Sequence, residues 1–213
     1  MVAGETRPRL GRPGPAEVGR RRILDGAAIV FAQKGYLATT IDAIADQLGA
    51  TKGRVYHYYL GKAEIFLDVV VTGMLDMINE LEPLAKQEEL SPSERIYAMA
   101  RDHALLMMVR NPFQRVAVQA LELRTVPEIA LHRETLEEVR KLRRRYEQLF
   151  IDVLDEGIRL GEFDKLNSGL VVKAALGSLN WIPIWYDPGR SSAHDVDQVA
   201  DTFARFILNG VGK

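Results

Sequence analysis

Beyond an irregular leading segment, apolar residues recur every three to four positions and strand signals are absent, which predicts an all-α chain of about nine helices. The first covers residues 17–34, with Ile23, Leu24, Ala27, Ala28 and Phe31 on its inner face. Ile41, Ile44, Ala45 and Leu48 mark a short second helix, capped by Thr39 or Thr40 and stopped by Gly49, since glycine takes a left-handed C-terminal conformation at little cost. A third starts near Thr51 and carries Val55 and Tyr59 as its inward residues. A fourth begins near Lys62, bears Ile65, Phe66, Val69, Val70, Met74 and Ile78, and is expected to end before Pro83. Ser91-Pro92-Ser93-Glu94 opens a fifth helix that reaches residue 110 and stops at Asn111-Pro112. Helices over 113–124, 127–160, 167–186 and 193–209 complete the chain, the last two flanking an Asp187-Pro188-Gly189 turn.

The third helix is the one whose composition a packing role does not explain. Lys52, Arg54, Tyr56 and Tyr58 are left to face outward, and so short a structural helix rarely exposes two cations and two phenols. As the second helix of a helix-turn-helix the same residues make sense, reaching base edges from the helix start and holding phosphates from its flanks. Charge points the same way. The net value of -1 conceals ten Lys/Arg against five acids in residues 1–62, a balance of +5, which leaves -6 for the remainder. A polyanion is therefore drawn to one end of the molecule. The leading Arg9-Leu10-Gly11-Arg12-Pro13-Gly14 stretch resembles the Gly-Arg-Pro core of minor-groove arms; Arg9 and Arg12 either enter a narrow A/T-rich groove or sit on a flexible tail.

Residues 20–66 resemble the N-terminal domain of the TetR family of bacterial transcriptional regulators. The likeness is carried by a first helix ending F-A-x-x-G-Y, then T-T-x-x-x-I-A, then L-G-x-x-K-G-x-x-Y-x-Y-Y, then K-x-E-I. Three positions depart from the family's usual K-G-x-L-Y-x-H-F: Val55 stands for leucine, Tyr58 for histidine and Tyr59 for phenylalanine. The resemblance implies a flexible basic arm over 1–16, a three-helix DNA-binding domain over 17–62, and a ligand-binding and dimerisation domain over 63–213. It implies a repressor that is released from a pseudo-palindromic operator by a small effector. Lys52 and Arg54 are assigned to base edges and Thr51 and Gly53 to close approach. Thr40, Tyr56, Tyr58 and Lys62 go to phosphates, with His57 either a phosphate contact or a solvent-facing neighbour.

The C-terminal part offers a dimer face and a ligand site. Leu170, Ala174, Gly177, Ser178 and Trp181 form a face of mostly small residues, and Val196, Val199, Ala200, Phe203 and Ile207 a second stripe; either two copies make a four-helix interface or the stripes pack only within the monomer. Met99, His103 and Met107, at successive i+4 positions, and Trp181 and Trp185, bracketing Pro183, are candidate ligand contacts or plain core. The segment NWIPIWYDPGR resembles the W-Y-x-P-G turn of a TetR subgroup that controls fatty-acid and sterol-side-chain catabolism, whose members respond to acyl-CoA thioesters. Under that likeness Arg140, Lys141, Arg143, Arg144 and Arg145 are candidates for the phosphates. Their i,i+4 pairing with Glu137 and Glu147 equally describes a solvated helix face. A multidrug or aromatic-compound sensor controlling an efflux gene is the alternative reading.

Catalysis and metal binding find no support. The four histidines are dispersed without His-Glu-x-x-His spacing, and no phosphate-cradling loop or Gly-x-Ser-x-Gly elbow occurs. No enzyme activity, cofactor or metal is expected, and a helical enzyme stays a remote alternative. The absence of cysteine rules out disulfides and fits a cytoplasmic protein, no apolar run approaches a membrane span, and the N-terminus lacks a secretory core.

Overall fold

The structure, a computed structural model, describes residues 14–108, 112–123, 126–186 and 195–212. Arg9, Arg12 and the Asp187-Pro188-Gly189 turn lie outside the described residues. The helices run α1 (Pro15–Ala38), α2 (Ile41–Gln47), α3 (Lys52–Tyr56), α4 (Lys62–Ala85), α5 (Pro92–Met108), α6 (Pro112–Leu123), α7 (Pro127–Ala130), α8 (Arg133–Leu160), α9 (Ser168–Asn180), α10 (Ile182–Trp185) and α11 (Val196–Asn209). Among the described residues no strand occurs, and no helix is long and apolar enough to cross a membrane.

Two helices expected as single units are broken. His132, at φ -86° and ψ 58°, leaves the helical region and separates the one-turn α7 from α8. Pro183 cannot donate a backbone hydrogen bond, and the chain stops α9 at Asn180 and resumes as the one-turn α10. In contrast, α4 does not end before Pro83 but continues to Ala85, with the ring exposed in its last turn. The start of α5 is a reciprocal cap: Glu94 accepts from the Ser91 amide at 2.8 Å, and the Ser91 hydroxyl accepts from the Glu94 amide at 3.3 Å.

Two apolar cores meet inside α4. Its first half packs Phe66 against Phe31 and Tyr36, edge to face at 5.2 and 4.9 Å, within a core shared with Ile44, Val55 and Tyr59. Its second half contributes Met74, Met77, Ile78 and Leu81 to the larger core of α5, α8, α9 and α11. The helix α6 bridges both, with Phe113 and Val116 in the first core and Ala117 in the second. Glycine permits this bridge: a Cβ at Gly73 would lie 2.7 Å from the Phe113 carbonyl oxygen. Two sequence-derived faces of α9 and α11 fare differently. Leu170, Ala174, Gly177 and Trp181 are exposed and Ser178 is half-buried, but Val199, Ala200 and Ile207 are buried within the chain's own core, so the second stripe is no free surface.

Candidate nucleic-acid interface and effector cavity

Local chemistry builds the helix-turn-helix. The Thr40 hydroxyl accepts from the Ala43 amide at 3.1 Å and starts α2, while Thr39 is buried and donates to the Gly35 carbonyl at 2.7 Å. Gly49, at φ 58°, reverses the chain in the left-handed conformation that a side chain disfavours. The five-residue α3 is then held by Val55, fully buried beneath it, and by Tyr59 just beyond its end. Replacing the family's phenylalanine with Tyr59 adds a polar lock. Its phenol donates to Asp68 at 2.6 Å and accepts from Arg20 at 3.1 Å, and Arg20 also pairs with Asp68 at 2.8 Å. Burial and the neighbouring carboxylate hold that phenol protonated well above its usual range.

The residues expected to touch DNA mostly stand clear of the scaffold. Thr40, Thr51, Lys52, Gly53, Arg54, Tyr56 and His57 are all exposed. The Arg54 side chain has no hydrogen-bonded or ion-paired partner among the described residues, and a Cβ on Gly53 would meet only the Thr51 hydroxyl, at 3.9 Å. Lys52 is paired with Asp42 of α2 at 2.9 Å, and the Asp42 carboxylate raises the ammonium's pKa. Two of the expected contacts are less open. Tyr58 is half-buried because its ring lies over Gly19 of α1, where a Cβ would sit 2.1 Å from the phenol oxygen. Lys62 is turned inward: its ammonium donates to the carbonyls of Tyr36 and Thr39, each at 2.9 Å, and lies 4.4 Å from the Tyr36 ring centre. Its ammonium ties the start of α4 to the α1–α2 connection.

A cavity of about 270 Å³ opens between α4, α5, α6, α8 and α9. Apolar walls come from Met74, Met77, Ala117, Val118 and Leu176. At its floor His103 is fully buried, 2.6 Å from the Tyr146 hydroxyl and 3.2 Å from the Asn180 side-chain oxygen. Desolvation lowers the histidine pKa to about 4 and raises that of the Tyr146 phenol. A protonated phenol must therefore donate to Nδ1 of a neutral imidazole, whose Nε2–H donates to Asn180. Arg143, Glu147 and Lys173 complete the wall; Lys173 pairs loosely with Glu147 at 3.4 Å, whereas the half-buried Arg143 has no hydrogen-bonded or ion-paired partner among the described residues. Burial lowers the Arg143 pKa, with Glu147 opposing the shift.

Sequence periodicity located His103 in this wall but not its companions. Met99 and Met107 are buried in the core and do not line the cavity; Met74 and Met77 of α4 do. Trp181 and Trp185, the other candidate ligand contacts, are 61% and 43% exposed and do not line this cavity, with Trp185 stacked on Phe203. Of the basic run on α8, Arg140 and Arg144 pair with Glu137, Arg145 pairs with Glu82, and Lys141 is exposed, which leaves Arg143 as the member facing the cavity. Among the described residues no cluster of potential metal ligands occurs.

The sequence matches the family model described as bacterial regulatory proteins, tetR family, over residues 23–69, and that of the tetracyclin repressor-like C-terminal domain over residues 89–211. The HTH-type transcriptional repressor KstR2 of Mycobacterium tuberculosis is 27% identical over 222 residues, covering 100% of this chain and 97% of the relative. The TetR-family regulator PfmR of Thermus thermophilus is 26% identical with a TM-score of 0.76, over 90% of this chain and 100% of that one. FadR from Bacillus subtilis, solved in complex with stearoyl-CoA, shares the fold at a TM-score of 0.70 and 22% identity, over 90% of this chain and 98% of that one. The C-terminal model alone spans more than half of the sequence, and the chain belongs to the TetR family of bacterial transcriptional regulators, which bind DNA and are not enzymes.

Proposed function

We propose that this protein is a cytoplasmic, homodimeric repressor that leaves a pseudo-palindromic operator when an acyl-CoA-type effector enters the α4–α9 cavity. In this reading Lys52 and Arg54 read bases, Thr51 and Gly53 allow close approach, and Thr40, Tyr56, His57 and the edge of Tyr58 meet phosphates. Gly53 supports the approach, since nothing inside the monomer requires a glycine there. The observation that carries the reading is the continuity of α4 and α6. Met74, Met77, Ala117 and Val118 line the cavity, while Phe66, Phe113 and Val116 of the same two helices pack against the helix-turn-helix. An occupant that displaces the first set moves the second, provided it binds one dimer shape better than the other. Gln114 of α6 is also buried without a hydrogen-bond partner for either amide atom among the described residues.

The wall supports the effector class: apolar volume for an acyl group, and Arg143, without a hydrogen-bonded or ion-paired partner among the described residues, beside Lys173 for an anion. Stearoyl-CoA in the FadR complex and the lipid-linked names among the relatives favour the same class. Arg143 and Lys173 outnumber the one carboxylate of that wall, Glu147, which disfavours cationic aromatic drugs and places the multidrug alternative second. The exposed Leu170, Trp181, Ile184 and Phe206 supply the apolar surface for a second copy.

The test is a titration of full-length protein bound to a labelled duplex recovered from a randomised pool. Stearoyl-CoA and isovaleryl-CoA should release the duplex and raise the melting temperature, and coenzyme A alone should do neither. Release by cationic aromatic drugs but not by acyl-CoAs would overturn the effector assignment.

A further inference from the structure

A carboxylate stands on the face that is to meet a polyanion. Asp42, the second residue of α2, has a side chain 62% exposed and lies 2.9 Å from the Lys52 ammonium, itself 49% exposed. An acid in the first turn complements the positive end of α2, but that local reason does not require a contact to α3. Nor does the fold need the pair: Ile44, Ala45 and Val55 are buried beneath both helices, and an exposed ion pair adds little to stability. What the pair changes is the charge presented to a duplex. A phosphate approaching Lys52 meets the Asp42 carboxylate as well, so fewer counterions are released from DNA of any sequence. A G·C pair in the major groove offers something different, guanine acceptors for the ammonium and a cytosine amine for the carboxylate.

We infer that Asp42 is a specificity-determining residue, which through its contact with Lys52 weakens backbone binding to every duplex and is compensated only where a G·C pair satisfies both side chains. This rests on the DNA-binding role of α3. It also assigns a part to a residue that motif reading passed over, because its sign is wrong for simple attraction.

The experiment compares full-length wild type with Asp42→Asn on two probes: a duplex enriched by the wild type from a randomised pool, and a scrambled duplex of equal length and composition. The variant should bind the scrambled duplex about tenfold more tightly at low salt, with a slope against log salt steeper by about one. Its ratio of selected to scrambled affinity should fall by about tenfold. In a Lys52→Gln background the same substitution should leave that ratio nearly unchanged. Asp42→Glu should keep most of the wild-type ratio, which separates the charge contact from any loss of folding. Equal tightening on both duplexes, or an undiminished effect without Lys52, would overturn the inference. A wild type that enriches no sequence defeats the DNA-binding reading itself, and the selection step registers that before any variant is made.

Discussion

Acidification puts the cavity floor under a specific load. His103 is neutral in the folded protein because burial lowers its pKa from 6.5 to about 4, whereas in the unfolded chain it regains its ordinary value. Between those two values the unfolded state binds more protons than the folded one, so stability rises with pH across the window and is lost as pH falls through it. At roughly 1.4 kcal/mol per pKa unit, about 2 kcal/mol goes between pH 7 and 5, and about 3 kcal/mol below pH 4. For a chain of this length each kcal/mol moves the melting point by about 2–4 °C, so the first step should lower it by roughly 4–8 °C from this group alone. Carboxylates also titrate there, and a His103→Gln variant isolates the histidine. Glutamine can accept from Tyr146 and donate to Asn180 yet takes up no proton. Melting curves at fixed protein concentration from pH 7.5 to 4.5 should show the variant losing several degrees less than the wild type. Parallel curves for the two proteins would refute the buried neutral imidazole.

Other outcomes follow from the geometry of the helix junctions. Gly73→Ala gains roughly 1 kcal/mol of helix propensity but forces a Cβ to within 2.7 Å of a backbone oxygen, an overpacking cost of about 1–3 kcal/mol, so thermal melting should show a net loss and a weakened coupling between effector and DNA. Lys62→Met should lower stability by about 1–3 kcal/mol in denaturant titrations while leaving the salt slope of DNA binding unchanged, since its charge is bonded to carbonyls. Arg54→Ala should relax base preference at one position of each half-site by about 1–3 kcal/mol, read from affinities across a panel of single-base variants.

The DNA-binding unit was legible because its determinants are local. Thr40, Gly49 and the three-four spacing of Ile41, Ile44 and Ala45 define α2 within ten residues, and Val55 and Tyr59 leave only one way for α3 to lie. Its polar locks were not legible, because Arg20, Tyr59 and Asp68, or Lys62 and Tyr36, meet only after four helices have folded. The cavity was harder still. Met99 and Met107 share the i+4 spacing of His103, yet they are absorbed into the core, and no local pattern says which side α11 will cover. Tyr146 and Asn180, 43 and 77 residues from His103, had no signal of their own. Periodicity likewise marks Trp181 and Val199 alike as apolar, and cannot tell a face covered by its own chain from one left for a partner.

Everything here turns on α3 lying against a duplex with its cations and phenol outward. Amide hydrogen exchange of the full-length protein, with and without a duplex enriched from a randomised pool, tests this directly. Protection on binding should concentrate in residues 40–58 and spare the cavity helices α8 and α9. Protection that falls elsewhere while 51–56 exchanges as in the free protein would contradict it.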